Sequence, residues 1–309
     1  MKFLKKLFFN FHNYRYRKNR NKNTFRKFSK KKIKNYYQLN IKKKKIILAT
    51  QVGRGGGKWL ADMINQCDDV SAFGERHRLE ESIFRHDCSY NNKKRFNDIL
   101  HIIKSEALSD WKFNNISYIS SPYFSHGIKF LEKNLRSDKF VIIVRDFDGL
   151  LFSLLNKGWY KENIEIDLNK YSKKPPKIFL RKPNQFFGRY INLNEDNEIF
   201  LKSSRPVKVA IFMYQTLKKI FEDMIHIKKN KIVIFDLNKA DQNYKYCKRF
   251  LKKLNINLDI EKQNFLGLKK RTAISIENEI VSIDKKDLIE IKKIKVKYNY
   301  YLKKIKRYI

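Results

Sequence analysis

The chain of 309 residues contains 70 Lys and Arg against 31 Asp and Glu, a formal net charge of +39. Hydrophobic residues make up 42% of it and aromatic residues 14%, which disfavours disorder along the whole length and allows one large domain with extensions or two small ones. AT-rich codon usage would supply Glu as readily as Lys, so it does not explain the sign of the charge. The excess predicts a polyanionic partner, such as nucleic acid, an acidic membrane leaflet or an acidic glycan.

Residues 1–44 form a basic, aromatic N-terminal segment, and the first acidic residue of the chain is Asp62. Like charges within such a segment repel each other, so it is expected either to be a solvated tail or to rest on an anionic membrane or another polyanion. The apolar stretch in its opening residues, MKFLKKLFFNF, is too short for a secretory signal. We therefore expect a cytoplasmic enzyme, which this segment could hold at the inner face of the membrane.

The three cysteines, Cys67, Cys88 and Cys247, are far apart in the sequence. Their spacing predicts neither a zinc site nor a disulfide framework, and packing residues in a reducing compartment are the simplest interpretation. Nowhere does an apolar run approach the ~20 residues that a membrane-spanning helix needs.

From residue 45 onward, short apolar runs alternate with segments of helical spacing. Strands are predicted at 46–50, 70–73, 116–119, 140–144 and 232–235, and helices after residue 58 and at 207–227, 241–254 and 285–309. Continuous apolar strands that alternate with helices predict an α/β fold with a central parallel sheet flanked by helices on both faces. Residues 45–309 would form this domain, with an irregular, Pro-containing insertion near 160–204.

A glycine-rich turn follows the first predicted strand and precedes a helix, in the order Gly53-Arg54-Gly55-Gly56-Gly57-Lys58. Glycines allow a sharp turn whose amide hydrogens point inward, and the helix adds its positive N-terminal dipole. Arg54 and Lys58 would add cationic hydrogen bonds. The turn therefore predicts a site for a phosphate or phosphosulfate on a P-loop NTPase-like three-layer fold.

The same turn departs from the P-loop of ATP-hydrolysing enzymes at two positions. Val52 stands where that pattern has its first glycine, and Trp59 stands where it has the Ser or Thr that binds magnesium. A nucleotide kinase or NTPase with an altered loop remains an alternative that these departures disfavour.

The stretch IILATQVGRGGGKWLADMINQCDDVSAFGE resembles the first motif of sulfotransferases that use 3'-phosphoadenosine 5'-phosphosulfate (PAPS), in which a strand leads to Pro-Arg/Lys-Ser-Gly-Thr-Thr-Trp-Leu. Arg54, Gly56, Trp59 and Leu60 match that motif. The resemblance implies that the loop, including Gly55, Gly57 and Lys58 in place of hydroxyl residues, holds the phosphosulfate. It also implies that Arg54 stabilises charge on the bridging oxygen and that no metal is needed.

A second motif, Arg145-Asp146-Phe147, follows the fourth predicted strand, and Ser153 lies eight residues after Arg145. It resembles the Arg-Asp-Pro and downstream Ser of the same family, whose Arg and Ser bind the 3'-phosphate, with Phe147 in place of Pro. An Arg at the carboxyl end of a parallel strand reaches the ligand crevice. Residues 231–237 resemble a later strand of the family, and the basic stretch 267–271 is a candidate for its late loop.

Transfer of a sulfuryl group to a hydroxyl requires a base for the acceptor's proton. Glu75 is the first candidate, since several carbohydrate sulfotransferases resemble the chain here with a glutamate near the acceptor. A salt-bridging or helix-capping carboxylate is the structural alternative. His77 is the second candidate and His126 the third, because the ordinary pKa of histidine, about 6.5, suits proton acceptance. Trp59 either packs the loop helix or stacks on the ligand.

The resemblance implies a PAPS-dependent sulfotransferase, and Ser120-Ser121-Pro122 favours its carbohydrate branch, because the small-molecule branch has Lys-Thr-His at that place. The expected acceptor is a hydroxyl of a saccharide or another cell-surface precursor. A nucleic-acid- or polyanion-binding protein is the alternative of a different class. It is less expected, because the charge is spread through the chain and no nucleic-acid-binding motif occurs.

Overall fold

The computed structural model describes residues 28–161, 191–193, 196–240, 243–257 and 283–308. Its centre is a sheet of five strands in the spatial order β2-β3-β1-β4-β5, and all four neighbouring pairs are parallel. The predicted strands and the predicted parallel α/β sheet are confirmed. The strands are β1 (Lys45–Gln51), β2 (Val70–Gly74), β3 (Ile116–Ser120), β4 (Lys139–Val144) and β5 (Ile232–Asp236).

The strands are apolar throughout because both faces of the sheet are covered. In β1, Ile46 and Leu48 belong to one hydrophobic core, whereas Ile47 and Ala49 belong to the other. Successive side chains of a strand point to opposite faces, so both sets must be apolar.

The helices divide unequally between the two faces. The helices are α1 (residues 30–40, with a π-helical turn at Ile33–Tyr37), α2 (Gly57–Ile64), α3 (Arg78–Ser89), α4 (Phe96–Asp110), α5 (Ile128–Leu135), α6 (Phe147–Asn156), α7 (Asn197–Lys202), α8 (Arg205–Met224), α9 (Leu237–Ala240), α10 (Tyr244–Lys253) and α11 (Lys285–Arg307). The larger core contains residues of α1, of α3 to α8 and of α11. The smaller core contains residues of α2, α9 and α10.

The last part of the basic N-terminal segment packs against the α/β domain. Ile33 and Tyr37 are buried in the larger core, and the Tyr37 hydroxyl donates to the Leu135 carbonyl at 2.7 Å. The Tyr37 ring also stacks on Trp111, with ring centroids 5.5 Å apart. The predicted boundary at residue 45 thus separates two parts that pack together, while residues 1–27 lie outside the described residues.

Part of the range expected to be an irregular insertion is ordered. Tyr160 is buried among aromatic rings, 5.3 Å from Phe200 between centroids, and α7 lies within the range 160–204. Residues 162–190 and 194–195, and the basic stretch 267–271, lie outside the described residues. Among the helices of the described part, none is long and apolar enough to span a membrane.

The sheet order places a crevice at the carboxyl ends of β1 and β4. The chain leaves β1 through α2 on the smaller face and leaves β4 through α6 on the larger face. Two adjacent parallel strands whose connections diverge in this way leave room between their ends, and ligands bind at such points in open α/β sheets. Both motifs singled out in the sequence end here.

Candidate functional site

The glycine-rich turn after β1 has a backbone that glycine makes possible. Gly56, the N-cap of α2, has φ 96° and ψ 8°, which is a left-handed conformation. A Cβ at Gly56 would lie 2.7 Å from Cδ2 of Leu237, so a larger residue would be both strained and obstructed. Because glycine has no side chain to cap the helix, the N-terminal end of α2 faces the turn with its backbone amides.

The second motif reaches the same turn from β4. The Arg145 guanidinium donates through Nη1 to the Arg54 carbonyl at 3.4 Å, and Arg54 Nε donates to the Ser153 hydroxyl at 3.3 Å. The structure therefore brings Arg54, Arg145 and Ser153 together, although Arg145 lies 91 residues and Ser153 99 residues after Arg54 in the sequence. Arg54 and Lys58 are exposed, and Arg145 and Ser153 are partly exposed.

Arg145 is fixed by two neighbouring elements that the sequence motifs did not identify. Asp146 caps α6 by accepting from the Gly149 amide at 2.6 Å, and Asn238 after β5 donates to Asp146 Oδ2 at 2.6 Å. From the larger face, the Tyr298 hydroxyl of α11 donates to the Arg145 carbonyl at 3.0 Å. Asn238 reaches Asp146 because the strands that precede these two residues, β5 and β4, pair with each other in the sheet.

The electrostatics of the crevice favour an anion. The Arg54 side chain is exposed, but neighbouring groups desolvate it in part, and this desolvation lowers its pKa. The carboxylate of Glu75 opposes that decrease, and the positive charge of Arg145 adds to it. Burial would raise the pKa of Asp146, but hydrogen bonds from Asn238 and Gly149 and the charge of Arg145 outweigh burial and lower it. The negative charge of an anion between Arg54 and Arg145 would offset both the cost of desolvation and the repulsion between the two cations.

Glu75 lies beside this turn at the end of β2. Its backbone has φ 53°, its amide donates to the Ser120 carbonyl at 2.8 Å, and its carboxylate pairs with Arg78 at 3.1 Å. A Cβ on the preceding Gly74 would lie 3.3 Å from Cα of Lys58, so the ends of β2 and of the turn are in close contact. Glu75 and Arg54 (φ 65°) are both non-glycine residues in a left-handed conformation. Such conformations are uncommon and cluster at functional sites.

His77 lies next to a buried ionic network formed by Arg76, Glu106 and Asp110. Arg76 pairs with Glu106 at 3.0 Å and with Asp110 at 3.2 Å, and His77 Nε2 lies 3.6 Å from Glu106 Oε2. Glu81 accepts from the Ser121 hydroxyl at 2.8 Å and from the His77 amide at 3.2 Å. The structure therefore places His77 in contact with this network through Glu106 and Glu81.

Of the other candidates, His126 is buried and Trp59 packs against a neighbouring ring. His126 is buried, its Nδ1 is 3.0 Å from the Ser125 hydroxyl, and its pKa is well below the ordinary value because of desolvation and then the charges of Arg85 and Lys219. The Trp59 ring packs toward Phe235, with centroids 6.1 Å apart. This contact is the packing alternative predicted for Trp59.

A buried amide beneath the turn was not identified by sequence reasoning. Gln51, the last residue of β1, is 2% exposed, and its Oε1 has no hydrogen-bond partner among the described residues. A Cβ at Gly57 would lie 2.6 Å from Cδ of Gln51 and closer still to its amide nitrogen and oxygen. No motif contains Gln51, because it precedes the turn as part of the strand.

In the part of the chain that the structure describes, no group of three or more His, Cys, Asp or Glu side chains is placed to hold a metal ion. The cysteines are free thiols, and Cys67 and Cys247 belong to the smaller core. Burial raises the pKa of each of these two thiols to about 12, so both are protonated at neutral pH.

No family model matches the sequence, and no curated protein gives a significant match. Among solved structures, the chain is similar to the sulfotransferase domain from the curacin biosynthetic pathway, with a TM-score of 0.41 and 10% identity over 78% of this chain and 81% of that one. It is also similar to the sulfotransferase domain from the Synechococcus PCC 7002 olefin synthase, with a TM-score of 0.38 and 10% identity over 83% of this chain and 94% of that one.

The buried carboxyl of Glu81 predicts a pH dependence of stability. Burial raises its pKa from 4.5 to about 8, more than the hydrogen bond from Ser121 lowers it. The folded protein thus holds a proton that the unfolded chain releases above pH 4.5. The contribution of this proton to the free energy of unfolding is complete below pH 4.5. It is lost as the pH rises toward 8, by at most about 1.4 kcal/mol per pH unit.

Urea unfolding between pH 5 and 8 tests this prediction. The free energy of unfolding of the wild type, minus that of Glu81→Gln, should fall steadily across this range, because the amide cannot ionise. Glu80→Gln, on the same turn of α3 and partly exposed, controls for the loss of one carboxylate. A difference for Glu81→Gln that is constant with pH would contradict a protonated Glu81.

Proposed function

We propose that the chain is a sulfotransferase that binds PAPS at the crevice between β1 and β4 and transfers its sulfuryl group to an acceptor hydroxyl. The supporting observation is the meeting of Arg54, Arg145 and Ser153 at the mouth of the glycine-rich turn. Two guanidinium groups that face one crevice favour anions there, and PAPS has one anionic group at the 3' position and another at the 5' position of its ribose.

The residues of the turn fit the phosphosulfate end of this donor. The backbone amides at the start of α2 and the exposed side chains of Arg54 and Lys58 would hold it. Arg145 and Ser153 would hold the 3'-phosphate, with Arg145 fixed by Tyr298. Hydrogen bonds between guanidinium and phosphate are charge-assisted and form in parallel pairs, which favours Arg over Lys at this end.

The protein's own part in the reaction would be to accept a proton and to stabilise negative charge. Glu75 would take the proton of the acceptor hydroxyl, since its carboxylate lies next to the turn and acts electrostatically on Arg54. Arg54 and Lys58 would stabilise the charge that develops on the departing phosphate. His77, two residues after Glu75, is the second candidate base. The donor supplies the activated sulfuryl group, and this chemistry requires no metal.

The acceptor that we propose is a hydroxyl of a saccharide or another cell-surface precursor. The Ser120-Ser121-Pro122 sequence, which begins at the last residue of β3, supports this class. We also propose cytoplasmic modification near the membrane, to which the basic N-terminal segment would bind electrostatically. Direct binding of nucleic acid is not needed to explain the crevice.

An altered nucleotide kinase is the second candidate. The turn lies at the end of the central strand β1 and leads into a helix, as a P-loop does. However, Trp59 follows Lys58 where a kinase has a hydroxyl for magnesium, and its ring packs toward Phe235. This contact explains why a tryptophan suits the position in the present chain.

Loss of the 3'-phosphate contacts should weaken binding of 3',5'-diphosphoadenosine. Each charge-assisted hydrogen bond contributes about 1.5–3 kcal/mol, so Arg145→Ala should raise the dissociation constant at least about tenfold. Ser153→Ala removes one neutral hydroxyl and should have a smaller effect in the same direction. Isothermal titration calorimetry of the folded variants measures both effects.

Arg307→Ala is the matched control, because it removes one exposed arginine at the end of α11. At about 1.5 Å per residue, this position lies roughly 13 Å along the helix from Tyr298. If Arg145→Ala and Arg307→Ala weaken binding equally, the effect is one of net charge and not of a 3'-phosphate site.

Glu75→Gln should reduce turnover while donor affinity is largely kept, because the amide has the shape of the carboxylate but cannot accept the proton. General bases contribute about 100- to 10,000-fold, so a loss of at least about 100-fold is expected. Turnover is measured as transfer of the labelled sulfuryl group from PAPS to acceptors in an extract of the cells that produce the protein. Glu290→Gln, on the exposed side of α11, is the control.

Unchanged turnover in Glu75→Gln would remove Glu75 from the role of base. If His77→Gln then lost activity at unchanged affinity for 3',5'-diphosphoadenosine, the role would pass to His77.

A further inference from the structure

Three consecutive glycines, Gly55 to Gly57, give the turn no side-chain donor of its own, and the Gly55 amide already donates to the Val52 carbonyl at 3.0 Å. An anion in the turn would therefore gain from a further side-chain donor. The space that side chains would occupy beneath the turn is filled by Gln51 from the end of β1. A Cβ at Gly55 would lie 3.1 Å from Cβ of Gln51, and a Cβ at Gly57 would lie 2.6 Å from its Cδ.

The Gln51 side chain thus runs from the end of β1 to the first residue of α2. It is 2% exposed, and its Oε1 is buried without a hydrogen-bond partner in the described part of the chain. A buried polar atom without a partner costs free energy and is uncommon in native structures, so it needs an explanation. A carboxamide has donors at one end and an acceptor at the other, and the two ends can exchange by rotation.

We propose that Gln51 is a donor-binding residue, whose carboxamide hydrogen-bonds to the anion held in the turn. Gly57 is then a glycine because Gln51 occupies the volume of any larger side chain there. In the bound state the carboxamide is rotated so that Nε2 takes the place of the unpaired Oε1 and donates to the 5'-phosphate group, while Oε1 accepts from an N–H group at the start of α2 that does not bind the anion. This inference rests on the proposed function, since it names a further contact of the same site.

Gln51→Met tests the hydrogen bond separately from packing, because methionine has a similar length and flexibility but no amide donor. A hydrogen bond to a charged group contributes enough for the dissociation constant of 3',5'-diphosphoadenosine to rise about tenfold or more. Adenosine 3'-monophosphate, which lacks the 5'-phosphate, should bind the variant and the wild type equally. Calorimetry with both nucleotides measures the two effects.

The outcomes separate this inference from the proposed function. If the wild type does not bind 3',5'-diphosphoadenosine, the proposed function fails. If the wild type binds it and Gln51→Met binds it equally well, only the role of Gln51 fails. Equal weakening toward both nucleotides would make Gln51 a packing residue and would also overturn its role.

A reciprocal pair keeps the inference testable if Gln51→Met does not fold. Gly57→Thr alone should abolish binding, because its Cβ collides with Gln51. Gln51→Ala with Gly57→Thr removes the collision and supplies a hydroxyl, so this double variant should bind 3',5'-diphosphoadenosine more tightly than either single variant. A double variant that binds no better than Gln51→Ala would contradict the proposal.

Discussion

The candidate site depends on one contact between two loops, in which the Arg145 guanidinium donates to the Arg54 carbonyl while Arg54 reaches Ser153. This contact joins the end of β1 to the end of β4 and brings two positive side chains to one crevice. Partial desolvation and the positive charge of Arg145 lower the pKa of Arg54, and Glu75 offsets only part of that decrease. The arrangement is thus preorganised for an anion, because the cost of bringing the cations together is met during folding.

The parallel sheet makes this contact possible. Its order places β4 beside β1 and sends their following helices, α6 and α2, to opposite faces. Both loops therefore open into the same crevice without competing for space. The position of Arg145 is then fixed from β5 through Asn238, which holds Asp146, and from α11 through Tyr298. The long basic helix α11 thus has a structural part in the site, apart from any contact of its charged face with a polyanion.

Much of the fold could be predicted from the sequence, because a strand that is buried on both faces must be apolar throughout. The motifs also placed Arg54 and Arg145 after the ends of two strands and Ser153 on the helix that follows the second of them, and a parallel sheet brings these positions together. The contributions of Gln51, Asn238 and Tyr298 could not be predicted, since each depends on which elements become neighbours in space. The packing of Tyr37 on Trp111 was not predicted for a related reason. The many Lys and Arg residues around Ile33 and Tyr37 made this segment read as solvated, although these two side chains are buried.

The most direct test of the account is a calorimetric titration of the wild-type chain with 3',5'-diphosphoadenosine and, separately, with ATP and magnesium. Paired anion sites at Arg54 and Arg145 predict that the diphosphoadenosine binds at least about tenfold more tightly, a difference of about 1.4 kcal/mol. Tighter binding of ATP with magnesium would contradict the account and favour the kinase alternative. Absence of binding to either nucleotide would contradict a nucleotide site in this crevice.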